Sequence, residues 1–236
     1  MIPLRKSDEL PGWVERSLGY VFMNPDLCHA ALTHRSAGAE HNERLEFLGD
    51  SILNCSVARM LYEAHPEADE GALSRLRATL VSGETLAQIA GELGLGDHLR
   101  LGPGELKSGG FRRASILADA LEALLGAIFL DSGFDATAAV VARMVGPRLS
   151  QLPAADSLKD PKTRLQEALQ ARGLALPVYT LTAVTGDPHL QSFTISCEVP
   201  IFGIAAVGEG GSRRRAEQLA AAKLLQLLPA EMRKPA

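Results

Sequence analysis

Cysteines, aromatic residues and long apolar runs are scarce in this 236-residue sequence, and each shortage excludes a class of protein. The three cysteines, Cys28, Cys55 and Cys197, have no CxxC spacing, which argues against a disulfide framework or structural zinc and favours a reducing cytoplasm. The six histidines form no HxxxH pair, so ordinary surface or core positions are expected for them. The N-terminus has no apolar signal region and no run reaches membrane-spanning length, so we expect a soluble cytoplasmic protein with no membrane contact.

The charge is distributed unevenly along the chain. The formal net charge is -4, but residues 159–236 carry ten Lys and Arg against seven Asp and Glu, whereas the remainder carries 14 against 21. An acidic part joined to a mildly basic part indicates two regions with different partners. The apolar fraction of 46% is sufficient for a real core.

Apolar spacing predicts an all-α first domain, residues 1–150. Apolar residues recur at three- and four-residue intervals in five segments, with no convincing strand alternation. These segments are Leu27–Leu32, Leu45–Leu61, Leu73–Leu93, Ile116–Leu130 and Ala136–Leu149. Breaks are expected at Pro66, Gly71, Gly94, the loop 102–110 and Gly133.

After a linker over 151–160, residues 161–230 predict a small α+β domain in the order α-β-β-β-α. Asp160 and Ser212 are the expected N-caps of its two helices, which run from Pro161 to about Arg172 and from Ser212 to near Leu228. The three expected strands are Val178–Thr185, Gln191–Val199 and Ile204–Gly208.

Carboxylates interrupt the segment 42–51, which otherwise has the composition of a buried helix. Offsets of three and seven residues place Glu43, Glu46 and Asp50 on one face of a helix. That face continues with apolar residues, so we expect these acids to point inward. An ionised carboxylate is costly to bury unless a cation or donor pairs with it.

A second acidic pair, Asp119 and Glu122, lies on another apolar segment. Its face continues to Gly126, where a second helix could approach closely. Two helices packed in this way could pool four or five oxygen ligands. Oxygen ligands without nearby His or Cys select Mg²⁺ or Mn²⁺, which indicates a metal-dependent phosphohydrolase. The alternative is that each acid is an ordinary first-turn or salt-bridge residue.

Four sequence blocks resemble the ribonuclease III family, enzymes that cleave double-stranded RNA. The block Asn42–Ser51 (NERLEFLGDS) looks like the family signature, and shorter blocks match the bacterial members: 34–36 (HRS), 70–77 (EGALSRLR) and 104–110 (GELKSGG). The likeness extends from about Gly19 to Leu228. It implies the helical endonuclease fold of that family followed by a double-stranded-RNA-binding domain.

The resemblance also implies roles for six acids. The positions of Glu46, Asp119 and Glu122 bind metal in the family, and those of Asp50 and Glu122 are catalytic. Two further acids, Glu43 and Glu70, match positions at the dimer interface and cleft and are included among the catalytic candidates. All six are present, so an active enzyme is expected.

Homodimer formation is also implied, with each site cutting one strand to leave 5′-phosphates and staggered 3′ ends. Phe47 matches a dimer-contact position; an ordinary core phenylalanine is the alternative. Mg²⁺, replaceable by Mn²⁺, is the expected cofactor, with no small-molecule cofactor. Precursors of ribosomal RNA and some messenger and transfer RNAs are the expected substrates.

Three consecutive arginines, Arg213–Arg215, open the last predicted helix. Cations there oppose the helix dipole, so an anion such as phosphate is the expected ligand, and the alternative is an exposed basic turn with no ligand. The resemblance adds contacts from the first helix and the β1–β2 loop, through Thr163, Gln166, Glu167, Pro188 and His189. Arg112 and Arg113 are expected to add phosphate contacts from the first domain. A low aromatic content, 5%, agrees with recognition of duplex shape rather than stacked single strands.

Two other functions are compatible with parts of this pattern. A catalytically silent RNA-binding regulator with the same fold would be expected to lack at least one acid at positions 46, 50, 119 and 122. A phosphohydrolase of small substrates would leave the arginine turn without a purpose.

Overall fold

The computed structural model describes residues 6–153, 159–187 and 189–229. The chain divides into two units, Met1–Asp156 and Ser157–Ala236. Residues 154–158 of the predicted linker and Pro188 of the predicted RNA contacts lie outside the described residues. The exact domain borders, 150 and 161, stay a prediction.

The described part of the first unit is helical. Its helices are α1 (Lys6–Leu18), α2 (Pro25–Ala31), α3 (Glu43–Ala64), α4 (Glu70–Leu80), α5 (Gly83–Glu92), α6 (Pro103–Lys107) and α7 (Ala114–Leu149). Short 3-10 turns lie between α5 and α6, at Leu95–His98, and between α6 and α7, at Gly110–Arg112. None of the helices in the described ranges is both long and apolar enough to span a membrane.

The core of this unit lies along α7, against which α2, α3 and α5 pack. Leu53 and Leu61 from α3 are fully buried, as are Leu121 and Leu125 from α7. α7 is interrupted at Gly133, whose φ of 79° is in the left-handed region that glycine adopts without strain. The break predicted at Gly133 is therefore present.

The helix boundaries differ from the sequence expectation in four places. Gly71, where a break was expected, lies in the first turn of α4. The apolar segment 73–93 is two helices, because Ser82 caps α5 by accepting a hydrogen bond from the Thr85 N–H. The expected loop 102–110 contains the short helix α6. Helix α1 was not predicted, although its Leu18 is buried and the Trp13 indole donates to the Leu93 carbonyl.

The second unit has the predicted order of elements. Helix α8 (Pro161–Gln170) precedes β1 (Val178–Thr185), β2 (Ser192–Val199), β3 (Ile204–Gly210) and α9 (Arg213–Leu227). The strands form an antiparallel sheet in the order β1-β2-β3, with a register shift in β1 between Leu181 and Ala183. The predicted fold class is confirmed.

Both helices of the second unit begin at their predicted caps. The Asp160 carboxylate accepts hydrogen bonds from the Lys162 and Thr163 N–H groups, and the Ser212 hydroxyl accepts from the Arg215 N–H. The apolar sides of α8 and α9 cover one face of the sheet, with Leu165, Leu169 and Leu224 fully buried. The starts of these two helices are thus set against a common core.

Candidate metal centre and nucleic-acid interface

The crossing of α3 and α7 is close because each helix has a glycine at the contact. A Cβ on Gly49 would overlap the Glu122 carbonyl oxygen, and a Cβ on Gly126 would overlap the Leu45 carbonyl oxygen. The sequence predicted the close approach at Gly126. This contact sets the backbone of Glu122 directly beside α3.

Three carboxylates converge at this crossing. Glu46 from α3 and Asp119 and Glu122 from α7 each offer an oxygen atom, and these atoms lie within 4.8 Å of one another. All three side chains are partly buried. A divalent cation with oxygen bonds of about 2.1 Å could draw them together through small side-chain shifts. The donor set is all carboxylate, which suits Mg²⁺ or Mn²⁺.

The raised pKa values of the three carboxylates show that their negative charges are unfavourable in the metal-free cluster. Burial, followed by the nearby carboxylates of Asp50, Glu46 and Asp119, raises the pKa of Glu122 to about 8. Burial is also the main cause that raises the pKa of Glu46 and of Asp119. Arg35 opposes the rise at both of these residues. A bound cation would remove the repulsion that the three carboxylates impose on each other.

The other predicted acids lie around the cluster rather than in it. Asp50 is exposed, and its Oδ1 accepts a hydrogen bond of 2.8 Å from the Asn54 amide. Glu43 is exposed and pairs with Arg35 at 3.2 Å, and Glu70 is exposed and accepts from the Ser74 hydroxyl. The expectation that Glu43 and Asp50 point into the core is wrong, because their helix face turns toward solvent at this end.

A cleft of about 620 Å³ opens beside the cluster. Its lining includes Glu43, Glu46 and Asp119 together with the cations of Arg35 and Arg113. It is also lined by His34, Ser36, Asn42, Glu105, Ser115 and Ile116. Neither Asn42 nor Glu105 had been given a role from the sequence, although each lies in a block that carries the family resemblance.

The two arginines predicted to contact phosphate from the first unit are placed differently. Arg113 lines the cleft and pairs with Glu105 at 3.0 Å. Arg112 is exposed and its guanidinium lies 5.0 Å from the centre of the Phe111 ring. The structure therefore brings Arg113, and not Arg112, to the cleft.

Phe47 is 79% exposed on α3. This exposure excludes the ordinary core position that was its alternative. A phenylalanine of this exposure among acids that line a cleft is available for contact with another chain.

The predicted RNA-contacting residues of the second unit that the structure describes lie at its surface. Arg213–Arg215 are exposed in the first turn of α9, and His189 is exposed between β1 and β2. On α8, Gln166 and Glu167 are exposed, and Glu167 pairs with Lys159 at 2.7 Å. The Thr163 hydroxyl is partly buried and donates to the capping Asp160 carboxylate at 2.9 Å.

The starts of α8 and α9 are joined by an ion pair. Lys162 Nζ lies 2.6 Å from Glu217 Oε2, and Glu217 Oε1 lies 3.5 Å from Arg213 Nε. Lys162 also lies over the Tyr179 ring, 4.5 Å from its centre. Two of the predicted RNA-contacting regions are thus held side by side.

Family models match both units. Residues 24–149 match a model described as Ribonuclease-III-like, and residues 161–228 match the double-stranded RNA binding motif. The chain is 60% identical to ribonuclease 3 of Thiobacillus denitrificans over 88% of this chain and 92% of that protein. It is 55% identical to ribonuclease 3 of Pseudomonas paraeruginosa over 92% of this chain and 95% of that protein.

Two solved structures of the nuclease domain of ribonuclease III from Campylobacter jejuni are also similar. The first is 41% identical to this chain, and the match covers 58% of this chain and 97% of that one. The second is 39% identical, and the match covers 65% of this chain and 100% of that one. The TM-score is 0.57 in each case. One of them is reported to show structural flexibility in the region involved in dimer formation.

Proposed function

Because the chain belongs to the ribonuclease III family, and is an endoribonuclease of double-stranded RNA, we propose that it hydrolyses the duplex at the acid cluster with Mg²⁺ as cofactor. The observation that carries this proposal is the convergence of Glu46, Asp119 and Glu122 within 4.8 Å. Mn²⁺, which accepts the same oxygen ligands, is the expected substitute.

Glu46, Asp119 and Glu122 would hold the ion. When bound, it supplies positive charge that lowers the pKa of an attacking water and stabilises the charge that develops on the phosphoryl oxygens. Asp50 is close enough to Glu122 to raise its pKa, yet its carboxylate is exposed to the solvent from which a water arrives. We assign to Asp50 the orientation or deprotonation of that water, with Glu122 as the second catalytic carboxylate.

The products follow from this attack. The water oxygen forms a bond to phosphorus, the bond between phosphorus and O3′ breaks, and the O3′ atom takes up a proton. The products would therefore carry a 5′-phosphate and a 3′-hydroxyl. Glu43 and Glu70 remain candidates for supporting roles, Glu43 at the cleft and Glu70 at the start of α4.

A homodimer is part of the proposal. Exposed Phe47 supports it, as does the dimer-forming region reported for the similar Campylobacter jejuni domain. Two copies would give two acid clusters, one for each strand, and hence staggered 3′ ends. We also propose that ribosomal RNA precursors, with some messenger and transfer RNAs, are the substrates.

The second unit would deliver the duplex. Arg213–Arg215 would contact phosphates, while Thr163, Gln166, Glu167 and His189 would contact the grooves on either side, as expected for a domain that reads A-form shape. Arg112 and Arg113 would add phosphate contacts from the first unit. A cytoplasmic location is proposed because all three cysteines are free.

The catalytically silent alternative is not favoured, since the residues at all four diagnostic positions are acids. The RNA-binding motif at 161–228 likewise disfavours a small substrate.

The direct test compares long duplex RNA incubated with the wild type, Glu122→Gln and the control Glu63→Gln, with and without Mg²⁺. Glu63 is an exposed acid at the far end of α3. Cleavage by the wild type and Glu63→Gln with Mg²⁺ alone, together with binding but no cleavage by Glu122→Gln, is expected. Equal cutting by all three proteins would exclude the acid cluster as the catalytic site.

A further inference from the structure

Asn42 is buried at the start of α3, and its side chain makes no capping hydrogen bond there. The residue is 2% exposed, and its backbone is fixed on both sides: its N–H donates to the Thr33 carbonyl at 2.9 Å, and its carbonyl accepts from the Glu46 N–H at 2.9 Å. Its amide makes no capping bond and has no hydrogen-bond partner among the described residues. Because the residue lines the cleft and its amide atoms are not fully enclosed, the amide is open to a ligand from that side.

Because Asn42 does not cap α3, the N–H groups of the first turn are left without a side-chain acceptor. Asparagine is among the preferred capping residues, and its backbone here adopts a helical conformation that directs it away from this role. The start of this 22-residue helix therefore presents backbone donors and the positive end of the helix dipole.

The turn that carries Arg35 is anchored beside this helix start. The His34 N–H donates to the Arg100 carbonyl at 3.0 Å, and the Ser36 hydroxyl accepts from the Gly102 N–H at 2.9 Å. A side chain on Gly102 would overlap the Ser36 carbonyl. The backbone of Arg35 is thus fixed, while its side chain, 70% exposed and paired with Glu43 at 3.2 Å, can reorient.

Asn42 and Arg35 line the same cleft as Glu46 and Asp119 of the acid cluster. The groups that they offer are an amide N–H, a guanidinium and the nearby helix-start N–H groups, all of which are donors suited to an anion. The cleft acids repel an anion until a cation neutralises them. The ligand is therefore an anion that arrives together with a divalent cation, as a nucleic-acid strand does in the proposed reaction.

We propose that Asn42 and Arg35 bind a backbone phosphate of the RNA strand being cut, next to the scissile phosphate, and so align that strand on the acid cluster. This inference rests on the proposed function and adds a phosphate subsite to it. Arg35 would exchange its pairing with Glu43 for the phosphate. Both residues act on the position of the strand, since neither belongs to the acid cluster.

The test uses Asn42→Ser and Arg35→Gln on a short duplex with one cleavage site. Serine can cap α3 but is too short to replace the amide contact, and Asn24→Ser at the cap of α2 is the matched control. Arg59→Gln on α3, outside the cleft lining, controls for Arg35. Single-turnover cleavage with Mg²⁺ should fall about tenfold or more in each cleft variant. RNA affinity should fall by no more than the loss of one phosphate contact, because the second unit would supply most of the RNA contacts.

A neutral methylphosphonate, placed singly at each phosphate flanking the scissile one, identifies the subsite. At one position it should slow the wild type by a similar factor and slow Asn42→Ser no further, because the contact is already lost. Cleft variants that cut as fast as their controls would overturn the proposal, as would equal losses in wild type and variant at every position. Loss reproduced by a single 2′-deoxy substitution instead would make the ligand a ribose hydroxyl and also overturn it.

Failure of this subsite and failure of the proposed function give different results. Mn²⁺ binding by the protein alone and the inactivity of Glu122→Gln test the acid cluster and do not depend on Asn42. If those hold and Asn42→Ser and Arg35→Gln behave like their controls, the subsite alone is wrong. If Asn42→Ser lowers the melting temperature of the protein, Arg35→Gln still tests the proposal, because the exposed Arg35 side chain can be replaced without disturbing the core.

Discussion

Gly49 of α3 faces the backbone carbonyl of Glu122 of α7 so closely that a single methyl group would overlap it. The metal cluster depends on this contact, because it determines how near Glu46 on one helix lies to Asp119 and Glu122 on the other. Helix packing and the geometry of the acid cluster are therefore one property of the structure.

Gly49→Ala should destabilise the fold and weaken metal binding together. The added methyl group must push α3 from α7, and overpacking of this kind costs about 1–3 kcal/mol. Thermal unfolding and Mn²⁺ titration measure the two effects. Gly91→Ala, in α5 with open space around it, is the control and should be neutral or stabilising by up to about 1 kcal/mol. Unchanged melting of Gly49→Ala would contradict the close contact.

Glu122 should make the metal-free protein less stable as the pH rises. Its pKa is about 8 in the folded chain and about 4.3 when unfolded, so between these values the folded state binds more protons. The free energy of unfolding then falls with rising pH over that range. In chelator, Glu122→Gln should melt several degrees above the wild type near pH 8 and level with it near pH 4. The same difference at both pH values would show that the carboxyl is not the cause.

Phe47→Ala should shift the protein from dimer toward monomer. The side chain is 79% exposed in the single chain, so its removal takes little from the core and acts on a contact between copies. Light scattering over a dilution series measures the shift, with Ile201→Ala in the second unit, 63% exposed, as the control. A dilution profile that matches the wild type would place the dimer contact elsewhere.

Arg214→Gln should weaken RNA binding and reduce its dependence on salt. Each lost phosphate contact lowers the slope of log affinity against log salt by about 1. The test is to measure affinity for a duplex longer than about 16 base pairs from low to moderate salt, with Ca²⁺ in place of Mg²⁺. Arg59→Gln, in the first unit, should keep the wild-type slope.

Asp160→Ala should destabilise the second unit by about 1 kcal/mol, the usual value of an N-cap. The Asp160 carboxylate accepts from two backbone N–H groups and the Thr163 hydroxyl. Burial alone would raise its pKa, but these hydrogen bonds and nearby Arg214 leave it lowered. The contribution of Asp160 to the free energy of unfolding is therefore complete above its unfolded pKa of about 3.9. It is lost as the pH falls through the lower pKa that Asp160 has in the folded chain. Denaturant unfolding should show a lower free energy of unfolding for Asp160→Ala than for the wild type near pH 7, and no difference between the two near pH 2.

The elements whose signals are local were predictable. Helices α3 and α7 follow from apolar spacing, and Asp160 and Ser212 act as caps through hydrogen bonds that reach two or three residues along the chain. The break at Gly133 likewise depends on its own backbone angles. The division of 73–93 at Ser82 was missed because apolar spacing continues across it, and the cap is the signal that reveals it.

The exposure of the acids was not predictable in the same way. Helical spacing places Glu43, Glu46 and Asp50 on one face, but how far that face is covered depends on where α7 ends its contact with α3. The exposed side of Phe47 and the unpaired amide of Asn42 depend on the same packing. Burial of a side chain is a property of its neighbours in space.

The sequence by itself determined the identities of the acids, the glycines that permit a close helix crossing and the caps that begin the second unit's helices, because these act through residue type and short-range geometry. The tertiary structure decided which acids meet. Glu46 lies more than seventy residues from Asp119 and Glu122, and only the packing of α3 on α7 closes that separation to 4.8 Å. It also decided that Asn42 and Arg35 share the cleft beside them, because the turn after α2 is tied to residues 100 and 102 by hydrogen bonds across the fold.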